Sequence, residues 1–122
     1  MDNNEIIIEY LKTAQEKLDA ASVLIDHDMN DDAVSRAYYA VFHCVQALLL
    51  KEGLKAESHS GARHLFGLHF VKSGKFDKKF AKYLKDLKDE RESGDYGILT
   101  TIEKEEAERA FSEAKEFLAE TK

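Results

Sequence analysis

Apolar positions recur at three- and four-residue intervals along most of the chain, the period of helices with one buried face. The first run predicts a helix from about Asn4 to Ile25, in which Ile7, Leu11, Ala14, Leu18, Ala21 and Ile25 form one stripe and Asp2 to Asn4 are available as caps. Asp28-Met-Asn-Asp-Asp32 breaks that pattern and is expected to cap the next helix. The second helix then runs to about Lys51, and Gly53 suits the left-handed residue that ends it. Its stretch from Ala37 to Leu50 is apolar around most of its circumference, as the central helix of a bundle must be.

Ser58-His-Ser-Gly61 introduces a third helix whose Leu65, Phe66, His69 and Phe70 are expected to face inward, ending at Ser73-Gly74. A fourth, from Lys75 to about Glu90, places Phe76, Phe80, Tyr83, Leu84 and Leu87 on one side and Lys75, Lys78, Lys79, Lys82 and Lys85 on the other. Arg91 falls on the apolar side. Ser93-Gly-Asp-Tyr-Gly97 reads as a loop, and Thr100 with Glu103 as a capping box for a last helix carrying Ala107, Ala110, Phe111, Ala114 and Leu118. The expected fold is an all-α bundle, with residues 1–122 as one domain.

Composition agrees with that pattern: the 122 residues include no proline, six glycines and 34% charged side chains. The single cysteine, Cys44, excludes a disulfide framework and reads as a small buried hydrophobe. The acidic start lacks the basic region of a signal peptide and no apolar run reaches membrane-spanning length, so a soluble cytoplasmic protein without membrane association is expected. The net charge of −6 argues against indiscriminate nucleic-acid binding. The charge is unevenly placed, however: seven lysines stand against Asp77 and Asp86 between Lys72 and Lys88, whereas nine acids stand against Lys12 and Lys17 between Asp2 and Asp32.

Three constellations could carry chemistry. In the second helix Arg36, Tyr39, His43 and Gln46 form a narrow polar seam, which either pairs with polar groups of a neighbouring helix or lines a small site. Arg36 and His43 could reach one phosphate or carboxylate there, with Tyr39 between them. At the end of the fourth helix Arg91, Asp95 and Tyr96 meet across a glycine, where an inward guanidinium needs a partner and Asp95 is nearest in sequence. Lys78, Lys82 and Lys85 could contact phosphates, although a solvated lysine face serves equally well as a plain surface. His59, His64 and His69 are spaced five apart, which scatters them around a continuous helix. Neither a metal site nor a cofactor is expected.

Ser35-Arg-Ala-Tyr-Tyr-Ala-Val-Phe-His43 with Ala47-Leu-Leu-Leu50, then Ser58-His-Ser-Gly61, Phe70-Val-Lys-Ser-Gly74 and Arg91-Glu-Ser-Gly-Asp-Tyr96, resembles the HEPN domain, in particular its small stand-alone prokaryotic branch. The resemblance runs from about Glu5 to Leu118. It implies a homodimeric four- to five-helix up-and-down bundle paired with a minimal nucleotidyltransferase in a two-gene module, with the HEPN protein as the toxin-like or nucleotide- or RNA-binding component. Active HEPN ribonucleases carry an arginine followed shortly by a histidine near the last helix. Arg91 matches the arginine, but no histidine follows His69, and Asp95 and Tyr96 stand where one is sought. Arg36, Tyr39, His43, His59, Arg91, Asp95 and Tyr96 are therefore expected to form or border a cleft, with Arg91 and either His43 or His59 as the pair for RNA cleavage if the protein is a ribonuclease. Tyr96 also matches a tyrosine that the partner enzyme nucleotidylates in related toxins.

Overall fold

The computed structural model describes residues 2–96 and 101–122, and side chains through Ser93 and again from Thr101. Five α-helices follow one another: α1 Asn3–Asp26, α2 Asn30–Lys51, α3 His59–Phe66, α4 Lys79–Tyr96 and α5 Lys104–Thr121, with a π-helical turn, Gly67–Val71, continuing α3. The described residues form no strand, and the arrangement is the expected helical bundle.

Helix α2 is its axis. The other four helices all pack on it, α1 most extensively. Close approach is possible because the contact faces are built from small residues: Ala14 and Ala21 on α1, Ala33, Ala37 and Ala40 on α2, and Ala107, Ala110 and Ala114 on α5, all at most 1% exposed. Most of the apolar circumference of α2 is thus covered within the chain, while Phe42 and Leu50 stay partly exposed. By length and composition α2 also qualifies as a membrane span, contrary to expectation, but most of that stretch is buried in the bundle.

Phenylalanines fix the other end of the molecule. Phe66, Phe76, Phe80 and Phe117 form a continuous cluster with ring centroids 5.3 to 5.9 Å apart, and Phe70 stacks on Phe66 at 5.8 Å. They tie α3, the π turn, the start of α4 and α5 into one unit.

Several local expectations change. Asp28 takes a left-handed conformation (φ 59°) and ends α1, with the Met29 amide donating to the Leu24 carbonyl at 2.8 Å; it does not cap α2, whose N-cap, Met29, has no side-chain bond. Ser58 does cap α3, accepting from the Gly61 amide at 3.0 Å, and Gly53 and Gly74 take the left-handed positions that close their segments. His69 is exposed, not inward. The π turn causes this: its wider i→i+5 spacing, with the Lys72 amide bonded to the Gly67 carbonyl at 2.8 Å, keeps Phe70 above Phe66 and swings His69 outward.

Helix α4 starts four residues later than expected, at Lys79, where the Asp77 carboxylate accepts from the Lys79 amide at 2.9 Å. It also continues through Ser93 to Tyr96, a stretch that composition assigns to a loop. The N-cap of α5 is Glu103, without a side-chain bond, and Thr100 of the expected capping box lies outside the described residues.

Candidate functional site

The seam on α2 and the arginine on α4 meet. Tyr38 and Tyr39 are adjacent on α2, Tyr38 fully buried and Tyr39 partly so, with their rings edge to face at 5.2 Å. Arg91 reaches them from α4. Its guanidinium lies 5.2 Å from the Tyr38 ring centroid and 5.4 Å from that of Tyr39, and its Nη1 donates to the Tyr39 hydroxyl at 3.2 Å. From the first residue of α3, His59 completes the cluster: Nδ1 and the Tyr38 hydroxyl share a 2.8 Å hydrogen bond, and the imidazole stacks on Phe42 with centroids 4.0 Å apart.

Electrostatics follow from that packing. Burial raises the Tyr38 phenol above its ordinary value, against the opposing pull of Arg91 and Arg63, so the phenol stays protonated. Burial, then the positive charges of Arg91 and Arg63, hold His59 below the usual histidine range. A neutral imidazole with one nitrogen held by a phenol is therefore poised beside a fixed guanidinium. The ring tautomer decides the roles in that bond: where the phenol donates to Nδ1, Nε2 carries the ring proton, and where Nδ1–H donates to the phenol oxygen, Nε2 is the acceptor.

The remaining expected residues fall elsewhere. His43 packs on α1, stacked on Tyr10 at 6.0 Å and donating from Nδ1 to Gln46 Oε1 at 3.1 Å; burial lowers its pKa too. Arg36 is exposed. The side chains of Asp95 and Tyr96 lie outside the described residues, so the proposed Arg91–Asp95 pairing does too. Of the lysines, Lys78 is exposed, Lys82 pairs with Asp86 and Lys85 with Asp89 one turn on, in the manner of a solvated face.

Two clefts flank the cluster. One, of about 510 Å³, opens beside Phe42 and His59 between α1, α2 and the segment before α3, with Tyr10, Gln46 and Leu54 among its walls. The other, of about 270 Å³, lies between α3 and α4 and is lined by Arg63, Phe66, Leu84, Lys85, Lys88 and Asp89. Among the described residues no group of three or more His, Cys, Asp or Glu side chains is placed to hold a metal ion.

Tyr38 and Arg63 are the site residues that sequence reasoning passes over. Helical periodicity assigns Tyr38 to the apolar side, which is correct and conceals its hydroxyl. Arg63 carries a usable signal, since it follows His59 by four residues and shares its helix face.

Comparison with known proteins places these features in a family. The HEPN domain family matches residues 8–122. A UPF0332 protein of Thermotoga maritima is 40% identical over 119 residues, covering 97% of this chain and 90% of that one. Two Methanocaldococcus jannaschii proteins that carry the name "putative toxin" are 37% and 35% identical over 96% and 92% of this chain, covering 87% and 76% of their own lengths. With residues 8–122 matched and relatives of this similarity spanning nearly its full length, the chain belongs to the HEPN domain family.

Proposed function

We propose that this HEPN protein is a toxin-like component of a two-gene module and that it engages RNA through the Arg91–Tyr38–Tyr39–His59 cluster, with a minimal nucleotidyltransferase as its partner. The names of the two Methanocaldococcus relatives support the toxin-like character, and the resemblance to paired HEPN proteins supports the nucleotidyltransferase and a homodimer. The observation that carries the RNA reading is the meeting of Arg91 and His59 over Tyr38: a guanidinium for phosphate oxygens, beside an imidazole and aromatic rings on which a base can stack. Sedimentation velocity tests the homodimer, which should run at twice the mass of one chain. Co-expression with the adjacent gene product tests the pairing.

The neutral state of His59 favours a second reading, metal-independent endoribonuclease activity. In the tautomer whose Nδ1–H donates to the Tyr38 oxygen, His59 Nε2 would take the proton of a ribose 2′-hydroxyl as that oxygen attacks the adjacent phosphorus. A 2′-O–P bond forms, the 5′-O–P bond breaks, and a 2′,3′-cyclic phosphate and a 5′-hydroxyl result, the leaving oxygen taking a proton from solvent. Arg91 would stabilise the extra negative charge of the phosphorane. Mixed RNA incubated with the protein in chelator separates the readings. Cleavage lost in both Arg91→Ala and His59→Ala supports the enzyme, whereas binding without cleavage leaves an RNA-binding module.

A further inference from the structure

Arg63 is a half-buried arginine that meets no anion among the described residues. Its Nε is buried and has no hydrogen-bond partner, and none of its side-chain nitrogens makes an ion pair or hydrogen bond with another described residue. A guanidinium removed from water is costly unless a carboxylate or phosphate meets it. The cleft that Arg63 lines supplies no free carboxylate. Asp89, its one acid, already pairs with Lys85 at 3.0 Å, and Lys88 reaches Glu92 at 3.4 Å and Asp89 at 4.0 Å. Three cations and one acid thus surround about 270 Å³ of open space, on a chain whose net charge is −6.

The position of Arg63 indicates what the anion belongs to. It sits one helical turn after His59 on α3, a rise of about 6 Å, which is comparable to the step between successive phosphates of a nucleic-acid strand. Arg63 shares one face of α3 with His59 and lines the α3–α4 cleft, so the cleft and the aromatic cluster are joined along that helix. We propose that Arg63, with Lys88 and Lys85 across the α3–α4 cleft, holds a second backbone phosphate of single-stranded RNA, next to the phosphate engaged by Arg91 and His59. This rests on the RNA reading given above and extends it: the strand crosses α3 onto α4, and Lys85 exchanges Asp89 for the phosphate on binding. Of the lysine face, this uses Lys85 and adds Lys88, and it leaves Lys78 and Lys82 as solvated surface.

Two measurements on the full chain test it. The first is fluorescence anisotropy of a short 2′-O-methylated single-stranded RNA, which cannot be cleaved, titrated at several salt concentrations with the wild type, Arg63→Gln, Lys88→Gln and Arg91→Ala. Each lost phosphate contact should flatten the slope of log K against log salt by about 0.7. Arg63→Gln and Lys88→Gln should each show that change while circular dichroism stays unaltered, and Arg91→Ala should show its own. The second is thermal stabilisation by inorganic phosphate, which Arg63→Gln should reduce by removing one of the two phosphate positions and Arg91→Ala by removing the other. Slopes and phosphate stabilisation unchanged in both Arg63→Gln and Lys88→Gln overturn the subsite while leaving RNA binding at Arg91 standing. Wild type that ignores RNA but loses phosphate stabilisation on Arg63→Gln overturns the RNA reading and keeps an anion site. Absence of both responses in the wild type overturns both.

Discussion

Arg91 on α4 donates to the hydroxyl of Tyr39 on α2, 52 residues away in sequence, and in the same position lays its guanidinium over two aromatic rings. That one side chain therefore fixes the end of α4 against the central helix while presenting a cation to the cluster. Replacing it with alanine should cost roughly 1–3 kcal/mol, from a lost hydrogen bond and lost cation–π contacts. Urea denaturation measures this. Arg91→Lys should recover part of the stability but not the RNA affinity, because an ammonium cannot span both rings and a phosphate.

His59 should titrate below the ordinary histidine range in the folded protein. Burial is the first cause and the charges of Arg91 and Arg63 follow. Removing either arginine lifts part of the depression, so the His59 ring protons in an NMR titration should shift to higher pKa in Arg91→Ala and in Arg63→Gln. A titration midpoint unmoved in both variants would place His59 outside the reach of the two guanidinium groups.

Acid should weaken the fold through His43. Its folded pKa is lowered, by burial first, so the unfolded chain binds the proton more tightly. The stability at stake is fully present above the unfolded value of about 6.5 and is lost as the pH falls through the lower folded value. His59 acts in the same sense. Glu90 and Glu113, raised mainly by burial beside Arg109, act in the opposite sense, favouring the fold as the pH falls through their folded values. Comparing wild type with His43→Gln isolates the histidine: the stability difference between them should narrow, or turn in favour of the variant, as the pH drops below about 6.5.

Cys44 should be silent towards thiol reagents. It is fully buried, and burial pushes its thiol up to about 12. A disulfide exchange reagent should label it only in denaturant, at a rate that reports opening of the α2 core. Rapid labelling of native protein would mean that α2 is far less protected than its packing indicates.

How much of this could be read from the chain differs between its parts. The stripes on α1, α2 and α5 follow a single period, and the residues they place inward, such as Ala14, Val41 and Ala110, are buried. Reading fails where neighbours override local preference. Ser93-Gly94 has the composition of a loop yet continues α4, whose preceding turns are held by Leu84 and Leu87 in the core. Phe117 escapes the predicted stripe because α5 is buried over a wider sector than Ala107 and Leu118 alone suggest. For the site, Tyr39, His59 and Arg91 are visible as residue types out of keeping with their surroundings. Their meeting is not, since it depends on α3 and α4 both crossing α2 at the level of Tyr38, a tertiary fact with no local signature. Tyr38 itself satisfies the apolar pattern and so gives no warning of its hydroxyl.

The π turn at Gly67–Val71 accommodates one residue beyond what a regular helix would hold there, and because the wide turn absorbs that residue the helix on either side keeps its orientation. Deleting exposed Leu68 would return the segment to ordinary helical spacing. Phe66 and the faces carrying His59 and Arg63 would hold their places relative to Phe70 and Phe76. A deletion inside α2 has no wide turn to absorb it and would rotate one half of that helix by about 100° against the other. In this protein a single-codon loss is thus tolerated at the one turn that carries a spare residue, and ruinous in the axis of the bundle.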